Sequence, residues 1–134
     1  YMDWRIKLLK EEKYSDIFVD TYQFEPPLGW KDIVENLVHY IHWHNKVHNT
    51  EIKIWRCVKE SGGLRFHIDT QGFGREGLEE IFGAIQFAEM MANSTCEMCG
   101  SSGELHKFHM SNGLELTTLC YKHFQGVAGV ETID

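Results

Sequence analysis

The sequence predicts an α+β fold: two amphipathic helices on a small antiparallel sheet or hairpin, followed by a C-terminal zinc module. Three observations point there. Apolar residues recur at helical spacing over 30–41 and again over 78–91. Residues 64–69 alternate apolar and polar, as a strand with one buried face does. Three of the four cysteines fall between positions 96 and 120 at the spacing of metal ligands.

From the N-terminus, residues 4–24 read as a short helix and then an irregular stretch. Pro26-Pro27 bars a helix at that point, and Gly29 marks the start of the first long one. Trp30, Ile33, Val34, Leu37, Val38 and Ile41 form its apolar stripe, and Asp32 and Glu35 suit the positive end of its dipole. His39, His42, His44 and His48 crowd its C-terminal half. His44 and His48 lie at i, i+4 and can share a metal, but no third ligand follows in the H-E-x-x-H manner. They read as imidazoles bordering the core at a helix end; the alternative is a binding surface, with Trp43 exposed beside it.

Ile52–Lys59 is β-prone, Ser61-Gly62-Gly63 is a turn, and Leu64, Phe66 and Ile68 alternate with Arg65, His67 and Asp69. Residues 51–69 are therefore a predicted β-hairpin, with Arg65, His67 and Asp69 on a solvated face. Gly72-Phe73-Gly74-Arg75-Glu76-Gly77 matches G-x-G-x-x-G but lacks the strand–helix setting of a phosphate loop, and reads as a plain loop. Leu78, Ile81, Phe82, Ile85, Ala88 and Met90 or Met91 give the second helix. Gly83 inside it costs about 1 kcal/mol against Ala, which predicts a close packing contact there. That helix ends near Asn93-Ser94, leaving little room for a linker. Residues 1–95 are expected to be an α+β body, with residues 96–134 packed on it.

Cys96-x2-Cys99 and Cys120-x2-His123 frame an interval of 20 residues. Zinc takes four tetrahedral ligands of thiolate and imidazole type, and each pair brings two of them within reach of one ion. Between the pairs, Leu105–Met110, Asn112-Gly113 and Leu114–Leu119 read as a hairpin, and 120–126 as a short helix. Knuckle, hairpin and ligand-bearing helix make a treble-clef arrangement. The expected ligands are Cys96, Cys99, Cys120 and His123. They would hold one structural Zn2+ per chain, because four protein ligands leave no open position for catalysis. Cys57, in an apolar strand, reads as a small buried residue.

Composition limits the partners. The chain has 134 residues, 13 Lys plus Arg against 20 Asp plus Glu, and a net charge of -7 with His neutral. Residues 1–95 and 96–134 are each net acidic, so neither is the basic footprint of a nucleic-acid binder. Zinc held by three thiolates and a neutral imidazole would bring the net charge to about -8. No apolar run approaches the roughly 20 residues of a membrane span. No secretory leader opens the chain, so a soluble cytoplasmic protein is expected.

Gly29-Trp30, Lys59-Glu60-Ser61-Gly62-Gly63-Leu64-Arg65-Phe66, Cys96-x2-Cys99-Gly100-x2-Gly103-Glu104-Leu105 and Leu119-Cys120-x2-His123 together resemble a family of small, mostly uncharacterised phage and bacterial proteins. These share a K-E-K-F-G-x-L-R-F hairpin and a C-E-x-C-G…L-C-x-x-H tail; Ser61 stands where that hairpin has an aromatic residue. The resemblance covers roughly residues 29–123 and implies a zinc-bound α+β protein. By analogy its function is to bind a protein partner as an inhibitor or adaptor of a host factor.

Over residues 96–129 the tail also resembles endonuclease VII-like ββα-metal nucleases. There His109 would take the general-base position, but no Asp precedes it, and Phe124 replaces the metal-binding Asn. A nucleic-acid-binding zinc module and a degenerate nuclease are thus the alternatives, with His106 and His109 the histidines in question. The leading expectation is a zinc-stabilised protein-binding module with no catalytic residues, its exposed anchors sought among Trp43, Phe73 and Phe124.

Overall fold

The computed structural model describes residues 3–70, 72, 78–126 and 132–133, without the side chains of residues 20–22 and 132–133. Gly72 aside, the glycine-rich loop with Phe73 lies outside the described residues. The elements are α1 (Trp4–Leu9), β1 (Phe18–Glu25), α2 (Lys31–His48), β2 (Lys53–Glu60), β3 (Gly63–Asp69), α3 (Glu79–Ala92), β4 (Glu104–Met110), β5 (Gly113–Leu119), α4 (Tyr121–Gly126) and β6 (Thr132–Ile133). The strands form two small sheets, ordered β1-β2-β3 and β5-β4-β6. The α+β class is as the sequence predicts. Among the described residues no helix is long and apolar enough to cross a membrane.

The first sheet departs from the expectation at its N-terminal edge. Residues 18–25 are a strand where an irregular stretch is predicted, and β1 runs parallel to β2. The residue types were favourable: Phe18, Val19, Thr21, Tyr22 and Phe24 are the β-branched and aromatic kinds that fit a pleated surface. What local pattern cannot show is the partner. A parallel pair needs a crossover, and α2 provides it between β1 and β2. The predicted hairpin is present as β2 and β3, joined by Ser61-Gly62 with φ of 53° and 81°. Two residues of positive φ are what the right-handed twist of a tight hairpin requires.

The core lies between this sheet and the two long helices. Trp30, Val34, Val38 and Ile41 from the first stripe are fully buried, with Ile54 and Leu64 from the sheet and Ile81 from α3. Burying side chains of this size stabilises the fold by roughly 1.5–3 kcal/mol each. α2 stops at Asn49, which takes the left-handed conformation at φ 55° that ends helices. On α3 the buried face is Ile81, Ile85, Ala88 and Ala92; Met90 and Met91, expected on the stripe, are exposed. The small Ala88 and Ala92 carry the packed face at that end, and the methionines are turned off it.

Gly83 is not a packing contact: a Cβ there meets nothing within 4 Å. With no steric reason for glycine, only its entropy cost remains. Gly83→Ala should therefore raise the unfolding free energy by about 0.5–1 kcal/mol, read from the denaturant midpoint at unchanged slope.

Candidate metal centre

Two backbone devices deliver the cysteine and histidine side chains. After α3 the chain closes a tight knuckle. The Cys96 amide donates to Ser101 O at 2.7 Å, and the Gly100 amide to Cys96 O at 2.9 Å. Gly100 sits at φ 87°, where an L side chain is strained. This loop turns Cys96 and Cys99 to one side. The second pair comes from the end of β5 and the first turn of α4, where the Phe124 amide donates to Cys120 O at 2.8 Å. That turn sets the His123 ring beside the Cys120 sulfur, Nδ1 to Sγ 3.2 Å.

The four groups converge. Cys96, Cys99, Cys120 and His123 each place a ligand atom within 4.8 Å of the others. The Cys99 and Cys120 sulfurs are 3.7 Å apart, and Cys96 Sγ is 3.6 Å from His123 Nδ1. A tetrahedral ion with metal–sulfur bonds of about 2.3 Å and metal–nitrogen bonds of about 2.0 Å has edges of about 3.8 Å and 3.5 Å. The donor set therefore fits a four-coordinate metal ion. Ser101, by its side chain and then its backbone, holds the Cys99 thiol down to about 6. At Cys120 the His123 amide lowers the pKa, but burial and the sulfurs of Cys99 and Cys96 raise it by more. Ligation requires the sulfurs as thiolates, so binding an ion here would release protons.

The knuckle is also where the two sheets are joined. The Gly29 amide donates to Glu97 O at 2.8 Å, and the Trp30 indole to Thr95 O at 2.9 Å. A Cβ at Gly29 would stand 2.0 Å from the Cys96 carbonyl oxygen and 2.4 Å from the Glu97 carbonyl carbon. Glycine is thus required here by contact with the knuckle backbone. Lys59 reaches from β2 to Glu97, Nζ to Oε1 2.8 Å, and burial pushes the Glu97 carboxyl up against the pull of that lysine. From the second sheet the buried Thr118 hydroxyl donates to Gly62 O at 3.4 Å.

The remaining histidines separate. His39 Nδ1 is 3.1 Å from the Tyr14 hydroxyl, and His42 packs against the same ring. His67 lies between Arg56 and Trp55. His44 is buried and His48 exposed, and Glu80 of α3 joins them; the third group that local spacing lacks comes from another helix. Cys57 is buried, and burial pushes its thiol up, as suits an inert core residue.

On β4, His106 and Phe108 face α4, with the His106 and Phe124 rings stacked at 4.1 Å. His109 is exposed on the opposite face of the strand, away from the helix that a ββα-metal nuclease would use. Phe124 is therefore half-buried packing and not a surface anchor. Trp43 is exposed as predicted, stacked on Tyr40.

Comparison with protein-family models, with curated proteins and with solved structures finds no match.

The joint between knuckle and body yields two expected outcomes. Gly29→Ala should cost at least about 1–3 kcal/mol of stability, since backbone must move to admit the methyl. Lys59→Met should cost about 1–3 kcal/mol by stranding a half-buried carboxylate, while Lys31→Met, which breaks only an exposed pair with Glu35, should change stability by under about 0.5 kcal/mol. Denaturant melts of the three variants under one buffer check both.

Proposed function

We propose that this chain is a zinc-stabilised protein-binding module. Cys96, Cys99, Cys120 and His123 hold one structural Zn2+, and the groove between α2 and α3 takes an apolar segment of a protein partner. Three thiolates and an imidazole are the donors zinc prefers among common divalent ions, and four protein ligands close its coordination shell. The observation that carries the structural role is the smallness of the second core. Its buried residues are Cys96, Phe108, Leu119 and Cys120, with Phe124 packed against them. Two of these four are ligands, so apolar burial alone is too little to hold the β4–β5 hairpin, and metal binding supplies the difference.

The binding surface is argued from exposed apolar area. Ile33, Leu37 and Tyr40 of α2 and Ala88, Phe87 and Met91 of α3 line a groove of about 300 Å3. Phe87 is 65% exposed and Met90, next along the helix, 61%. Large side chains side by side at the surface are the usual mark of an interaction site. Asp32 stands at the groove, and the chain carries -7 overall. The fitting occupant is a helix with one apolar face and basic flanks, laid in the groove.

Protein purified under reducing conditions should hold about one zinc from the Cys/His centre. Chelation should speed amide exchange through β4 and β5 while β2 and β3 stay protected; equal protection with and without metal would rule out the structural role. For the groove, a partner co-purified from the protein's own cells should be lost with Phe87→Glu and kept with Trp55→Glu, a change at an exposed site on the sheet. Recovery of the same partner with Phe87→Glu would place the interface elsewhere.

A further inference from the structure

His44 and His48 sit one turn apart on α2, with ring centroids 4.5 Å apart. Glu80, in the first turn of α3, completes a trio in which one ligand atom from each residue lies within 4.8 Å of the other two. His44 is 2% exposed, whereas His48 and Glu80 are at the surface. The trio is anchored in the core at one end and open to solvent at the other.

A chain of hydrogen bonds orients the buried ring. The Asn45 amide pairs with the Ile52 backbone: Nδ2 donates to Ile52 O at 3.0 Å, and Oδ1 accepts from the Ile52 amide at 3.0 Å. That pair of hydrogen bonds fixes which end of the amide is oxygen. The Thr50 hydroxyl therefore donates to Asn45 Oδ1, at 2.8 Å, and turns its lone pairs to His44 Nδ1, 3.0 Å away. The proton in that contact sits on Nδ1. Neutral His44 is then the tautomer whose Nε2 carries a free lone pair, and a ligating histidine is held in this way, its other ring nitrogen donating to a fixed acceptor.

We propose that His44, His48 and Glu80 form a second metal site, for a first-row divalent cation of the Zn2+ type. Two imidazoles and a carboxylate suit such ions, and three protein ligands leave positions open to water. The site is accordingly exchangeable, unlike the closed Cys/His centre. It also ties the C-terminal half of α2 to the start of α3 through ligands from both helices.

The test is calorimetric titration of Zn2+ into the zinc-loaded full chain, comparing the wild type with His48→Gln and Glu80→Gln. Both side chains are exposed, so the variants keep the fold, which circular dichroism checks. The wild type should bind one more ion than either variant, or bind it at least tenfold more tightly. Thr50→Val, which removes the acceptor for Nδ1–H and with it the hydroxyl that donates to Asn45 Oδ1, should weaken that ion by about 10–100-fold. Equal numbers of ions bound with affinities within tenfold in wild type, His48→Gln and Glu80→Gln would overturn the site. The comparison between variants reads this site whether or not the Cys/His centre is filled.

Discussion

The Cys96-Glu97 peptide belongs to two structures at once, and much of the molecule depends on that double membership. One side of it forms the knuckle that aims Cys96 and Cys99. The other side lies against Gly29 so closely that a single Cβ would overlap the Cys96 carbonyl. Around this contact the Gly29 amide, the Trp30 indole and the Lys59 ammonium all bond to residues 95–97. The start of α2 and the strand β2 are thereby referenced to the metal centre. A metal ion that holds the knuckle also holds one wall of the larger core, because Trp30, which bonds to Thr95, is buried in it.

With the proposed zinc in place, two ways of stabilising a fold meet at one peptide. The first sheet and the long helices bury a large apolar cluster and can rely on the hydrophobic effect. The second sheet buries few residues and, with the proposed ion in place, would rely on coordination. Interlocking the two would let coordination at one end limit motion at the other. The charge pattern agrees with this division. Glu97 tolerates burial because Lys59 faces it, so the joint is held by an ion pair with both side chains mostly shielded from water.

Features built from neighbours in sequence were legible: the stripe from Trp30 to Ile41, the alternation from Leu64 to Ile68, the Asn112-Gly113 hairpin and the C-x2-C and C-x2-H pairs. Each rests on periodicity or spacing within one element. What escaped is long-range. β1 becomes a strand by pairing in parallel across α2, and β6 pairs with β4, neither of which a local pattern shows. Gly29 reads as a helix start, while its real constraint is a backbone 67 residues further on. Glu80 joins His44 and His48 only after two helices pack. Gly83 shows the converse error: a glycine inside a helix suggests contact, and here it faces open space.

A single four-coordinate ion is proposed to organise residues 96–123. X-ray absorption at the zinc edge on the His48→Gln chain loaded with one equivalent of Zn2+ tests it most directly, since that variant isolates the Cys/His centre. The expected shell is three sulfurs at about 2.3 Å and one nitrogen at about 2.0 Å. A shell of nitrogen and oxygen alone, or no bound zinc, would contradict it.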